Sequence, residues 1–355
     1  KEKYMKKNSL IQMLLVLFSG ALIVMVSVGL TMHTLSKNLE EKNTPKRVES
    51  ALDYDSSSVI QIFGTGMVNS TNEDISISQE LDEAISNYNV SVYHQKNTNT
   101  IEAQNIADIF VDAGFTAVGL ANNESNDAGK EGVKSAMKYW NNKNILVQGI
   151  NTSTDKQNIH RPFEENGISI VYLSFTESLN QPLGEQEQYL VNIYDDEKSP
   201  EIVEEASRNA DVVIVSMYWE GTNKEYPSER QKEIAQRLAD SGASIIFGNA
   251  NNSIQPIEWI DDTLVFYSMG NVLTSEDDYA LGLVGTVTIT KHTVYDKTRI
   301  ELTNPKVDCV YEKKDDDGHI TVSFYDNNIE LAATYADLIE VLHRMDDSIR
   351  IGGIQ

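Results

Sequence analysis

The sequence predicts an α/β domain that follows one transmembrane helix, and three observations support this prediction. Short apolar runs rich in β-branched residues alternate with amphipathic stretches of helical length through the middle of the chain. After Leu281 the pattern changes to runs that are typical of antiparallel strands. A long uncharged run precedes all of these elements.

The uncharged run covers residues 9–32 and predicts a membrane-spanning helix. A helix of about 24 residues is about 36 Å long, which is enough to cross a bilayer. Lysines precede the run, so the positive-inside rule predicts a cytoplasmic segment at 1–8 and an extracellular location for everything after residue 32. A cleaved signal peptide is the alternative, but its apolar region is shorter and ends in a small-residue cleavage site, which this run lacks. We therefore expect a single-pass protein of the cell membrane.

The remaining chain divides into a linker and one large domain. Residues 33–58 are polar, carry both signs of charge and end in a serine run, which is typical of a linker. The domain is expected at 59–348. Its predicted buried strands lie at 59–63, 116–120, 145–150, 168–175, 212–219, 244–248 and 264–270, its helices near 103–113, 132–140, 201–209 and 229–241, its antiparallel strands at 282–290, 299–312 and 319–325, and its last helix near 328–345.

Composition excludes some classes of partner. The formal net charge of −25 argues against nucleic acid, because phosphate binding requires clustered Lys and Arg. The same charge disfavours broad electrostatic attachment to anionic polymers, so such a contact would need a local basic or hydrogen-bonding patch. The single cysteine, Cys309, excludes an intramolecular disulfide.

Polar residues gather after several of the predicted buried strands, where α/β folds place their ligands. Four motifs occur in order: Asn122-Asn123 followed by Asp127 and Gly129, Pro227-Ser228 followed by Gln231, Gln255-Pro256-Ile257-Glu258, and Tyr267-Ser268-Met269-Gly270-Asn271. On these motifs the chain resembles the CapA family of poly-γ-glutamate capsule proteins, a branch of the calcineurin-like metallophosphatase fold. The resemblance implies a four-layer α/β/β/α sandwich with a metal centre at its strand ends.

The chain departs from the family pattern where that metal centre would lie. Thr65 follows Gly64 where the family has Asp, and Glu124 and Tyr218 each stand where the family has His. The run Gly248-Asn249-Ala250-Asn251-Asn252 replaces Gly-His-His-Pro-His. The resemblance therefore implies a residual groove at Thr65, Asn122, Asn123, Glu124, Asp127, Tyr218, Trp219, Asn249, Asn251 and Asn252, with no catalytic residue among them.

These replacements weaken any metal site. A two-metal hydrolytic centre holds its ions about 3.5–4 Å apart with carboxylate and imidazole ligands, whereas Asn and Thr offer only neutral oxygens. We expect no cofactor, although Glu124 with Asn123 and Asp127 leaves room for a weakly bound Ca²⁺ or Mg²⁺. The other interpretation is that Glu124 and Asp127 are solvated loop groups and that Asp127 caps the following helix.

The histidines do not restore a metal site. They lie outside the matched motifs and are expected to be surface or partly buried residues: His33, His94, His160, His292, His319 and His343.

Three functional hypotheses follow. The first is a non-catalytic protein of capsule or cell-envelope polymer synthesis or export, whose residual groove binds a polymer or a partner. The alternative is a metal-dependent phosphoesterase or hydrolase of envelope polymers with rearranged ligands such as Glu124, Asp127 and Asn252. The third is a structural component that joins membrane-bound polymer-synthesis proteins.

Overall fold

The computed structural model describes residues 56–69, 74–96, 99–157, 160–220, 226–249, 253–274, 281–295, 297–326 and 331–354. All of them belong to one unit, Tyr54–Gln355. The predicted membrane segment, 9–32, and most of the predicted linker lie outside these ranges. Among the residues that the structure describes, no helix combines the length and the apolar character needed to span a bilayer. The membrane helix therefore stays a prediction.

The described chain alternates strands and helices in its first two thirds and consists mainly of strands afterwards. The strands are β1 (Ser56–Val68), β2 (Ile75–Ile77), β3 (Val90–Gln95), β4 (Ala117–Gly119), β5 (Leu146–Gln148), β6 (Phe163–Glu165), β7 (Ile168–Thr176), β8 (Val212–Tyr218), β9 (Ile245–Asn249), β10 (Ile257–Ile260), β11 (Thr263–Phe266), β12 (Asn271–Leu273), β13 (Leu281–Val294), β14 (Lys297–Lys314), β15 (Ile320–Phe324) and β16 (Arg350–Ile351). The α-helices are α1 (Gln79–Ser86), α2 (Ile101–Asp112), α3 (Gly129–Trp140), α4 (Thr154–Gln157), α5 (Lys198–Asn209), α6 (Glu229–Asp240) and α7 (Ala332–Leu342).

The strands form two sheets. The first has the order β2-β15-β14-β13-β1-β3-β4-β5, with β12 beside β1 and β16 beside β14. Within it, β1, β3, β4 and β5 are parallel. The strands β13, β14 and β15 are antiparallel, as the sequence pattern predicts. The second sheet has the order β10-β11-β9-β8-β7-β6, and its central strands are parallel. The carboxyl ends of β1, β3 and β4 and those of β7, β8 and β9 therefore each gather at one edge of their sheet.

Three buried apolar clusters arrange the sheets and helices in four layers. Ile60 and Ile62 of β1 belong to the cluster between the two sheets, whereas Phe63 faces the opposite side, as the two-residue period of a strand requires. The outer face of the first sheet packs against α1, α2 and α3. The outer face of the second packs against α5 and α6. The described residues thus form an α/β/β/α sandwich, and the predicted α/β fold is confirmed.

The two sheets approach each other closely where β1 crosses β9. A Cβ atom added to Gly64 would lie 2.3 Å from the ring of Phe247. Only glycine fits there, because any side chain would push the sheets apart. The glycine that the sequence places before the altered metal position is therefore required by packing between the sheets.

Some elements differ from their predicted bounds. The strand predicted at 59–63 extends to Val68, so Gly64-Thr65-Gly66 lies inside β1 and does not follow it. The sequence pattern also missed α1 and β3. In β3 the polar residues His94 and Gln95 are buried, so a search for apolar runs does not detect the strand.

Candidate functional site

The carboxyl ends of the parallel strands carry most of the predicted site residues. Tyr218 and Asn249 are the last residues of β8 and β9 and are direct neighbours in the register of those strands. Asn122, Asn123 and Glu124 lie in the turn that follows β4. The structure thus brings residues from distant parts of the sequence to one face of the sandwich, as the fold predicts.

Asn122 organises the turn after β4. Its side chain is buried, and its Nδ2 donates to the carbonyl oxygens of Gln95 and Leu120, each at 3.2 Å. Its Oδ1 accepts a hydrogen bond from the backbone N–H of Glu124 at 2.9 Å. These bonds join the end of β3 to the turn and fix the position of the Glu124 backbone. Asn122 is therefore a positioning residue whose amide is already fully engaged.

Glu124 faces a lysine ammonium. Lys96, which directly follows β3, places its Nζ 3.0 Å from Oε1 of Glu124, and the two side chains are 16% and 30% exposed. This ion pair corrects the interpretation of Glu124 as a solvated loop group. Sequence reasoning missed Lys96 because it did not recognise the strand that precedes it.

Asp127 does not cap the following helix. The N-cap residue of α3 is Ala128, and no side chain makes a capping hydrogen bond there. The Asp127 carboxylate instead accepts from Nδ2 of Asn180 at 3.0 Å. Asn180, in the loop after β7, also accepts from Nδ2 of Asn123 at 2.9 Å and donates its backbone N–H to the Asn123 carbonyl at 2.7 Å. Asn180 thus ties the loops of the two sheets together.

Thr65 and His94 lie side by side in the interior of the first sheet. The His94 Nδ1 is 3.4 Å from the Thr65 carbonyl oxygen, and both residues are buried. Burial lowers the pKa of His94 to about 4, so the imidazole is neutral at physiological pH. This placement corrects the expectation that His94 is a surface or partly buried residue. The Thr65 hydroxyl donates to the Gly66 carbonyl at 3.0 Å.

The second sheet contributes an amide whose polar atoms lack partners. Asn249 is 2% exposed, and neither its Oδ1 nor its Nδ2 has a hydrogen-bond partner among the described residues. The Oδ1 of Asn123 is likewise buried without a partner there. Leaving such a group unpaired costs about 1–3 kcal/mol, so these atoms are suited to receive a ligand or an ordered water.

The two aromatic residues of the site, Tyr218 and Trp219, differ in their exposure to solvent. Trp219 is fully buried, and its Nε1 donates to the Tyr267 carbonyl at 2.5 Å, so its indole belongs to the core and does not line a groove. Tyr218 is partly buried. Its pKa is raised to about 12, chiefly by burial and further by the nearby carboxylates of Glu124 and Glu220, so the phenol is neutral.

The structure therefore gathers most of the predicted set. The exceptions are Trp219, which belongs to the core, and two residues that lie outside the described part. Asn251 and Asn252 fall in the gap at 250–252. The described part of the chain adds His94, Lys96 and Asn180, which the motif comparison did not include. The β-branched and aromatic residues of VSVYHQ were the available signal for β3, and with it for His94 and Lys96.

The described residues do not fit a two-metal centre. Within the described ranges, no three His, Cys, Asp or Glu side chains are grouped so that they could hold a metal ion. Besides the carboxylates of Glu124 and Asp127, the donors are neutral amides and a hydroxyl, and the ammonium of Lys96 beside Glu124 would repel a metal ion. The donor set is instead suited to hydrogen bonding with a polar ligand.

Two solved structures match the chain with low similarity. The protein TT1561 of Thermus thermophilus matches with a TM-score of 0.38 and 11% identity over 64% of this chain and 94% of that one. The 5'-nucleotidase from Candida albicans matches with a TM-score of 0.37 and 12% identity over 69% of this chain and 51% of that one. Scores this low support no inference about this chain.

Comparison with known sequences is more informative. The chain is 29% identical over 165 residues to the PGA biosynthesis protein CapA of Bacillus subtilis (strain 168), an alignment that covers 46% of this chain and 43% of that protein. It is 30% identical over 171 residues to the capsule biosynthesis protein CapA of Bacillus anthracis, covering 45% and 40%. The matched region thus spans less than half the length of either relative. The model of the family described as bacterial capsule synthesis protein PGA_cap matches residues 34–276, more than half of the chain. The chain therefore belongs to the PGA_cap family of bacterial capsule synthesis proteins.

Proposed function

We propose that this chain is a membrane-anchored CapA-like protein that acts in the synthesis or export of a capsule or cell-envelope polymer without catalysing hydrolysis. Its strand-end groove binds the polymer or a protein of the same assembly. The helix at 9–32 anchors it in the cell membrane, with the domain outside the cell. Membership of the PGA_cap family supports the capsule role, and the chemistry of the strand-end residues supports the binding role.

The unpartnered amide of Asn249 and the unpartnered Oδ1 of Asn123 carry this proposal. An amide presents a donor and an acceptor side by side, which matches amide groups or neighbouring hydroxyls along a polymer. Asn249 stands where the family pattern has a metal-binding histidine, and Asn123 directly precedes such a position. The location of the binding site is therefore kept in this proposal, while its chemistry changes. A ligand that pairs with these atoms would recover the desolvation cost that they carry in the free protein.

The direct test is polymer binding by the full chain in detergent micelles. Poly-γ-glutamate of defined length is titrated in a calorimeter against the parent protein and the Asn249→Leu variant. Leucine keeps the branched shape of the side chain but removes both polar atoms, so we expect affinity to fall about tenfold or more through the loss of two hydrogen bonds. Asn209→Leu is the matched control, because Asn209 is exposed at the end of α5 and its Nδ2 bonds only locally, to the Glu205 carbonyl.

Two results would overturn the proposal. If the parent protein and Asn249→Leu bind poly-γ-glutamate with equal affinity, the groove takes no part in polymer recognition. Hydrolysis of a generic phosphoester that chelator abolishes and Glu124→Ala removes would favour the hydrolase hypothesis with Glu124 as a rearranged ligand.

A further inference from the structure

We propose that the ammonium of Lys96 is the resident cation of the strand-end site: it pairs with Glu124 and excludes divalent metal ions from it. The inference rests on the proposed non-catalytic function of this site. Its test measures cation binding and not polymer binding, so the two proposals can fail separately.

The ammonium is held in place by the fold. The backbone N–H of Lys96 donates to the Val68 carbonyl at 3.0 Å, which anchors the residue between the ends of β3 and β1. Its side chain is only 16% exposed. Glu124 places a carboxylate oxygen 3.0 Å from this Nζ, so the largely covered ammonium has a charge partner.

The carboxylate is held independently. Asn122 fixes the backbone of Glu124 through its Oδ1 and binds the carbonyl of Gln95, the residue before Lys96, through its Nδ2. One buried amide thus sets the spacing between the two charged residues, which are 28 positions apart in sequence. The ion pair is therefore a built feature of the site, unlike an exposed pair between flexible side chains.

The charge arrangement explains why a metal ion is excluded. A divalent cation at Glu124 would lie close to the ammonium, and the repulsion is strong where solvent screening is reduced. The carboxylate of Asp127, in the same turn, is engaged by Asn180. Without Lys96, Glu124 would keep a partly buried negative charge lacking its partner, and Ca²⁺ or a lanthanide could then compensate that charge with carboxylate and amide oxygens.

Terbium luminescence offers a specific readout. Tb³⁺ binds oxygen ligands as Ca²⁺ does, and it emits when a nearby tyrosine is excited. Tyr218 lies near enough to Glu124 for that carboxylate to contribute to its raised pKa. Tb³⁺ bound at Glu124 therefore has a sensitiser beside it.

The experiment titrates Tb³⁺ into the full chain in detergent and competes it with Ca²⁺. Lys96→Met removes the charge and keeps the chain length, and we expect it to bind Tb³⁺ about tenfold more tightly than the parent protein. Lys96→Met/Glu124→Gln should lose this gain. Lys96→Arg, which keeps the charge, should behave as the parent. Lys134→Met is the matched control, because it removes an exposed ammonium that pairs with Glu131 at 2.7 Å on the helix surface.

The proposal is overturned if Lys96→Met gains no affinity, or if its gain persists in the double variant. If Lys96→Met does not fold by circular dichroism, the parent protein and Glu124→Gln decide the question. Equal Tb³⁺ emission from the two supports exclusion by Lys96, whereas weaker emission from Glu124→Gln shows that a metal ion reaches Glu124 despite the ammonium.

Discussion

Glu312 is a buried carboxyl on β14 and makes the stability of this protein depend on pH. It is 7% exposed and accepts a hydrogen bond from the backbone N–H of Thr274. Burial raises its pKa from 4.5 to about 7, despite the opposing effects of that hydrogen bond and of Lys314. Because the folded state binds this proton more tightly than the unfolded state, the free energy of unfolding falls as pH rises from about 4.5 through 7.

Glu312→Gln tests this dependence. Glutamine keeps an oxygen that can accept from Thr274 but does not titrate. We expect the loss of stability between pH 5 and pH 8 to be smaller in the variant by about 2 kcal/mol, as measured by urea unfolding of the full chain. Asp326→Asn, at an exposed carboxylate near Lys313, is the control and should leave the pH profile almost unchanged. Identical profiles for the parent protein and Glu312→Gln would contradict the prediction.

At the scale of elements, the start of α6 shows what one of the family motifs does. Ser228 Oγ accepts from the Gln231 backbone N–H at 3.1 Å, and Gln231 Oε1 accepts from the Ser228 backbone N–H at 2.8 Å, which forms a capping box. The buried Gln231 also donates to Oε1 of Gln255 at 2.8 Å. Two motifs that lie apart in sequence are thus joined by a hydrogen bond, so their residue types reflect the architecture of the domain.

This arrangement predicts unequal costs along one helix. Ser228→Ala loses one capping bond and should lower the free energy of unfolding by about 1 kcal/mol. Gln231→Ala loses the reciprocal bond and the bond to Gln255 in a buried setting, so we expect a loss of about 2 kcal/mol or more. Gln236→Ala, on the exposed face where the side chain bonds Asp240, should change stability little. Urea unfolding measures the free energy of unfolding of all three variants. An equal loss of stability in Gln231→Ala and Gln236→Ala would contradict the predicted difference.

The elements also show how far sequence reasoning reaches. Strands whose buried residues are almost all apolar, such as β8, where Ser216 is the exception, and most of β9, follow directly from the pattern. By contrast, β3 ends in the buried polar residues His94 and Gln95, so its burial becomes visible only after the sheets are assembled. The Lys96–Glu124 pair was unpredictable for the same reason, since it depends on the parallel pairing of β3 with β4. The sequence motif identified Asn122 and Glu124 as site residues, but their roles became clear only from their contacts in the structure.

At the scale of the whole molecule, net charge constrains how an anionic polymer can bind. The chain carries a formal charge of −25, so a polyanion is repelled at long range. In the described part of the site, Lys96 is already paired with Glu124. Contact through the amides of Asn123 and Asn249 would require close approach against that repulsion. Salt shortens the range of this repulsion, because the Debye length falls from about 10 Å at 0.1 M to about 3 Å at 1 M.

This balance predicts an unusual salt dependence. We expect the affinity of the full chain for poly-γ-glutamate to stay constant or to rise several-fold between about 0.1 M and 1 M NaCl, because added salt weakens repulsion and leaves amide hydrogen bonds in place. Calorimetric titration at several salt concentrations measures this affinity. The Asn249→Leu variant shows how much binding occurs without the Asn249 amide. A steep fall in affinity with salt would instead indicate a basic patch that releases counterions, as phosphate-binding proteins do. Such a fall would place recognition outside the proposed strand-end groove, because the described strand-end residues offer hydrogen-bonding amides and their lysine, Lys96, is paired with Glu124.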